Sequence, residues 1–291
     1  MTEPPGASYP AAGSQDVSVT TPLDPALPAQ LLHVALDAAH RASHLLTEQR
    51  PADLRVASKS SPTDPVTVMD KASERLIVET VRAVRPDDGV FGEEGSDSAG
   101  SSGVVWVIDP IDGTVNYLYA HPHWSVSIAA EVDGEVVAGV VTAPVLDETY
   151  AAVVGGGASI TTGGKTRRLE FRSAPPLEQA LIGTGFGYAP ERRRSQGRVL
   201  AELIPRVRDI RRDGSAALDI CAVALGRLDG YYERGVNRWD TAAAGLVARE
   251  AGVRVGGLRG DRDSPQMTVA APEPLFRTLA GVLAELEADR D

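Results

Sequence analysis

The 291-residue sequence predicts a layered α/β fold, and three observations carry that prediction. Two amphipathic helical segments open the folded part, antiparallel strand patterns follow, and from residue 180 strands and helices alternate to the end. The third is composition: 43% hydrophobic and 24% charged residues are those of a globular chain.

Residues 1–28 carry six prolines among Ser, Thr, Gly and Ala, too little bulky apolar surface to offset ordering entropy, and are expected to be a disordered tail. From Gln30, residues Leu31, Val34, Ala35, Ala38, Ala42, Leu45 and Leu46 recur at three and four, a first helix that Pro51 follows. The loop 59–67 (KSSPTDPVT) has two prolines; Ala72, Leu76, Ile77, Val81 and Val84 then predict a second helix beginning near Asp70 and ended by Pro86-Asp87-Asp88-Gly89. The run 104–108 (VVWVI) reads as a strand, and strands at 125–131 and 135–142 meet at Asp133-Gly134, a hairpin signal. Glycine-rich turns at 155–157 and 163–164 punctuate strands near 150–154 and 167–171. Beyond them come strand 180–184, helix 190–204, strand 207–211, helix 215–226, strand 228–233, helix 240–251, strands 253–256 and 267–271, and helix 273–288. The change of pattern divides the folded chain into an α+β half, 29–172, and an α/β half, 173–291.

A formal charge of −11 and a pI near 5.0 disfavour bulk electrostatic binding of nucleic acid or anionic lipid. No stretch approaches the roughly 18 apolar residues of a membrane span. The single Cys221 forms no internal disulfide and residues 1–28 lack Lys and Arg, so a reducing cytoplasm is expected. A small anionic substrate would need cations to enter so acidic a protein.

The most informative string is WVIDPIDGTVNY, 106–117. Asp109 and Asp112 stand three apart at the end of the strand; a β-turn through Pro110 would close them to under about 7 Å, the strand stopping at Asp109. Gly113-Thr114 follow, where consecutive backbone N–H groups can face an oxyanion. Glu93 and Glu94 lie in a glycine-flanked loop upstream, and Asp240 starts an Ala-rich helix. Singly, these would be solvated charges and an N-cap. Gathered in one cleft, Glu93, Asp109, Asp112 and Asp240 would raise each other's pKa values or bind cations, and hard oxygen donors suit Mg²⁺. Phosphate-monoester hydrolysis needs acceleration of up to about 10²¹, far more than single hydrogen bonds supply, and two-metal sites meet such demands.

These motifs, with GEEG upstream and WDTAAAGLVAREAG downstream, resemble the inositol monophosphatase family over about residues 30–290. GTGFGY, IRRDGSAALDIC and GRLDGYYERGVNRWD resemble its actinobacterial inositol-1-monophosphatases of the SuhB kind. The resemblance implies a layered αβαβα sandwich of the inositol monophosphatase and sugar phosphatase type. It implies a Mg²⁺-dependent, lithium-sensitive homodimer that hydrolyses myo-inositol monophosphate by in-line attack of a metal-activated water. By the same resemblance Glu93, Asp109 and the Ile111 carbonyl hold one Mg²⁺, and Asp109, Asp112 and Asp240 a second. A third, weaker ion would sit near Glu93 and the Lys59 loop. Asp70 and Thr114 orient the water, Glu94 supports from behind, and the phosphate rests on the Gly113 and Thr114 amides. Glu233, the backbone at Ser215 and Ala216, and Asp112 recognise the inositol hydroxyls. Related sugar, polyol or nucleotide phosphates, fructose-1,6-bisphosphate and histidinol phosphate among them, are the alternative substrates. Arg238, beside Asp240, is expected to influence that choice.

Other features read as structural. His121 and His123 are expected in loop or packing roles, Cys221 buried and inert, and GTGFG (183–187) not a dinucleotide loop. The arginines between 192 and 212 read as a solvated face or subunit contact, with a transcription-associated binding role as the rival from another class.

Overall fold

The computed structural model describes residues 24–52, 54, 56–59, 65–171 and 173–290. The expected tail lies outside the described residues up to residue 23, and Leu27 and Pro28 already belong to helix α1, Leu27–Glu48. Short strands β1 (Ala57–Ser58) and β2 (Pro65–Val66) pair antiparallel ahead of α2, Val68–Val84. Helix α2 begins with a capping box: Thr67 accepts from the Met69 amide, and Asp70 accepts from the Thr67 amide.

A seven-stranded sheet follows in sequence order: β3 (Gly89–Gly92), β4 (Val104–Asp112), β5 (Ser125–Val132), β6 (Glu135–Ala143), β7 (Glu148–Val153), β8 (Gly157–Thr162) and β9 (Lys165–Leu169). It is antiparallel apart from β3 against β4, and a short helix α3, Thr114–Leu118, links β4 to β5. The predicted hairpin joins β5 to β6, with Asp133 and Gly134 both at positive φ. The sequence reading lacked β3 and β8 and set β9 two residues late. β3 is four residues bounded by glycines, and along β8 only Ala158 and Ile160 are buried, so neither offers a strong period.

The second sheet has the order β11-β10-β12-β14-β13. Its strands are β10 (Leu181–Thr184), β11 (Asp209–Arg211), β12 (Gly230–Glu233), β13 (Arg254–Gly256) and β14 (Thr268–Ala271). The accompanying helices are α4 (Pro190–Leu203), α5 (Ala216–Leu225), α6 (Arg238–Glu250) and α7 (Leu275–Glu285), each within a few residues of the expected span.

Three apolar cores separate five layers. Leu31, Ala38 and Ile77 of α1 and α2 bury one face of the large sheet with Trp106, Ile108 and Ile128. Val107, Ala129 and Val141 on its other face meet α5 and α6, with Ile220, Ala243 and Val247, and beyond them Tyr231 and Ala270 of the second sheet. Val199, Leu203, Leu279 and Leu283 of α4 and α7 close the far side. The architecture is the αβαβα sandwich. Burial on both faces explains why the start of β4 is continuously apolar rather than alternating. No helix among the described residues is long and apolar enough to cross a membrane.

Candidate active site

Strand β4 delivers the first two acids, by a route other than the expected turn. The strand continues to Asp112; Asp109 pairs with Ser127 and Asp112 with Ser125, so three steps on β4 oppose two on β5 in a bulge. Pro110 has no N–H for the ladder, and the Ile111 amide bonds Asp109 Oδ1 at 3.0 Å. The bulge therefore changes the facing of Asp109 and Asp112 without ending the strand.

Asp112 then meets the N-terminus of α5. Its carboxylate accepts from Ser215 Oγ at 2.5 Å and from the Ala217 and Ala216 amides at 2.8 and 3.3 Å. These are helix-terminal donors that lack intrahelical partners. Asp240 is in the first turn of α6, where it takes the Asn237 amide at 2.5 Å. Capping and site membership coexist in it: carboxylate oxygens of Asp109, Asp112 and Asp240 all lie within 4.8 Å of one another.

Glu93 comes from the end of β3, its amide bonded to the Ile108 carbonyl at 3.1 Å. Its Oε1 accepts from the Lys59 ammonium at 2.8 Å, and its buried Oε2 has no partner. Lys59 also pairs with Glu94. Asp70, fully buried, accepts both the amide and hydroxyl of Thr67, at 2.8 and 2.6 Å. Thr114 Oγ1 lies 3.2 Å from both Asp70 Oδ1 and the Ile111 carbonyl. Gly113, at φ 94°, makes the left-handed step from β4 into α3 that a side chain would resist.

Glu233 ends β12, with Tyr231 donating to its Oε2 at 2.8 Å. Glu233 shares one cleft of about 480 Å³ with Lys59, Glu93, Asp109, Ile111, Asp112, Gly113, Thr114, Ala216 and Asp240. Of the other expected site residues, Asp70, Glu94 and Ser215 adjoin the cleft through Thr114, Lys59 and Asp112. Arg238 does not join: it pairs with Glu131 at 2.5 Å and bonds the Gly134 carbonyl, which corrects the expectation of a substrate role. Leaving the first turn of α6 on another side from Asp240, it reaches the β5–β6 hairpin instead. Sequence reasoning missed Arg192 and Arg212, which line the cleft, and Glu74, which supports it. Glu74 was legible in principle, as a second acid one turn after Asp70 on the buried face of α2.

The electrostatics follow from this crowding. Burial pushes the Asp109 and Asp240 carboxyls well above the usual range, and the neighbouring acids push further. Burial lifts Asp112 to about 6 despite its bonds from Ser215 and Ala217, and Asp70 to about 6 despite those from Thr67. Glu233 reaches about 7, burial outweighing its bond from Tyr231. Burial also raises Glu93, although Lys59 opposes the shift. Crowded hard oxygen donors, an orphaned buried Oε2 and an ammonium already seated on Glu93 fit a site for divalent cations.

The family model of the inositol monophosphatase family matches residues 27–288. The chain belongs to the inositol monophosphatase family. Family membership makes it a phosphatase. It is 46% identical over 243 residues to the Mycobacterium tuberculosis protein named inositol-1-monophosphatase SuhB, covering 78% of this chain and 84% of that one. It is 41% identical over 249 residues to the Pasteurella multocida protein named Nus factor SuhB, with 83% and 91% covered. The solved structure of M. tuberculosis SuhB superposes with a TM-score of 0.78 at 41% identity, over 90% of this chain and 99% of that one.

Proposed function

We propose that this member of the family is a Mg²⁺-dependent phosphomonoesterase that hydrolyses myo-inositol monophosphate to myo-inositol and orthophosphate. The observation that carries this reading is the convergence of Asp109, Asp112 and Asp240, with Glu93, in one cleft beside Gly113 and Thr114. Glu93, Asp109 and the Ile111 carbonyl would hold one ion, and Asp109, Asp112 and Asp240 another. When bound, such ions acidify water and neutralise the leaving oxygen.

The chain's own groups do the rest. Asp70, locked by Thr67 and poised near neutrality, accepts the proton of the attacking water at Oδ1, and Thr114 Oγ1 orients that water. The Gly113 and Thr114 amides cradle the phosphate. Glu233, with the backbone at Ser215 and Ala216, takes the hydroxyls of the departing polyol and selects among alcohols. The test is phosphate release from inositol, sugar, polyol and nucleotide monophosphates, with Mg²⁺ and with excess chelator. The expected result is metal-dependent turnover with inositol monophosphate foremost; full activity in chelator overturns metal dependence, and a sugar or nucleotide phosphate ranking first overturns the substrate.

A second reading, a binding role in transcription, is favoured by the name Nus factor that the P. multocida relative carries and by exposed Arg193, Arg194 and Arg198 along α4. Salt-sensitive RNA binding that survives Asp109→Asn supports it.

A further inference from the structure

We propose that Arg192 and Arg212 form a second anion subsite in the catalytic cleft, accepting a further acidic group, a phosphate or a carboxylate, carried by the alcohol being released. The proposal rests on the phosphomonoesterase reading above and concerns which alcohols besides myo-inositol the same cleft accepts.

Both arginines belong to the basic stretch that the sequence reading assigned to a solvated face. Of the others in that stretch, Arg193 and Arg208 bond backbone carbonyls, Arg194, Arg206 and Arg211 pair with acids, and Arg198 is exposed on α4. Arg192 and Arg212 instead line the cleft with Glu233 and Asp240. Neither side chain donates a hydrogen bond or forms an ion pair among the described residues. Arg192 is the sharper case, because its Nε is buried with no partner, an arrangement folded proteins avoid unless a ligand or water supplies one.

The two guanidiniums also sit in built slots. A methyl on Gly235 would lie 2.5 Å from Arg192 Nη1, and one on Gly214 would lie 2.7 Å from Arg212 Nη1. The backbone carbonyl of Gly214 in turn packs on Gly113, where the scissile phosphate is proposed to rest. Arg212 therefore stands on the phosphate side of the cleft. Arg192 stands beside Gly235, two residues beyond Glu233, on the side of the departing alcohol. The charge of Arg212 already bears on Glu233 and Asp219, and a neutral polyol brings no charge for the unpartnered Nε of Arg192 to meet. A planar guanidinium fork matches carboxylate and phosphate oxygens, so an acidic substituent on the alcohol does.

The experiment uses three substrates that share a C1 phosphate ester, glucose 1-phosphate, glucose 1,6-bisphosphate and glucuronic acid 1-phosphate, with cleavage at C1 read from the glucose, glucose 6-phosphate or glucuronic acid formed. kcat/KM is measured in Mg²⁺ for the wild type, Arg192→Gln and Arg212→Gln, with myo-inositol 1-phosphate as reference. The readout is each acidic substrate's kcat/KM divided by that of glucose 1-phosphate, so a general loss of folded enzyme cancels. A wild-type ratio of tenfold or more that falls at least fivefold in a variant supports the subsite, and the acidic substrate with the larger ratio identifies the anion. A wild-type ratio near one, or a ratio unchanged in both variants, overturns it while inositol phosphate turnover leaves the parent reading standing. No turnover of any of the four overturns both.

Discussion

Glu74 Oε2 accepts the backbone N–H of Glu94 at 2.8 Å, from a side chain that is almost wholly buried. Its Oε1 takes the Ser96 amide at 3.0 Å, so one carboxylate on α2 holds the turn that presents Glu93. Replacing Glu74 by Ala leaves two inward amides unpaired. The expected loss is about 1–3 kcal/mol of stability, read by chemical denaturation, together with weaker Mg²⁺ binding by calorimetry. Unchanged stability and affinity would contradict this role.

Lys59 competes for the acids that a divalent cation needs, since its ammonium rests on Glu93 and Glu94. Lys59→Met is expected to tighten Mg²⁺ binding in calorimetry while lowering the melting temperature in chelator, where the two carboxylates are left facing each other. Weaker binding in the variant would show that Lys59 assists the ion rather than displacing it.

Asp109 and Glu233 share the cleft but have separate tasks. Asp109→Asn is expected to cut kcat by roughly a thousandfold or more, because it alters the ligand common to both proposed ions. Glu233→Ala is expected to change the preference for inositol phosphate over a simple monoester by roughly tenfold. Steady-state kinetics on both substrates checks this, and equal small losses in the two variants would refute the division.

The metal-free protein should lose stability as pH rises. Asp70 and Asp112, held up at about 6, and Glu233, at about 7, bind protons more tightly folded than unfolded. Between the ordinary carboxylate value near 4 and these folded values the unfolded chain therefore carries fewer protons, and stability falls with pH. Asp109 and Asp240 act in the same sense. Thermal melts in chelator are expected to give a lower midpoint at pH 8 than at pH 5, with Mg²⁺ restoring the pH 8 value. A higher midpoint at pH 8 without metal would contradict the burial of these acids.

Several features of the site were legible in the chain and others were not. Asp109 and Asp112 were recognisable at the end of an apolar run, whereas Asp240 read singly as an N-cap and joined them only through the family resemblance. The bulge through Pro110 was not, because a turn and a bulge bring the two aspartates together by the same local chemistry and only pairing with Ser125 and Ser127 separates them. Arg238 and Arg192 show the same limit from opposite sides. Proximity to Asp240 pointed to Arg238, which faces the β5–β6 hairpin, while Arg192 lay in a helix that read as surface.

By itself the sequence determined the helices, most of the strands, their order and the acids available for chemistry, since hydrophobic period, caps and turn residues act over a few neighbours. The tertiary structure alone decided which of those groups share a cleft. Asp112 and its partner Ser215 stand 103 residues apart, and whether such groups meet depends on how two sheets and their helices stack, which no local pattern encodes.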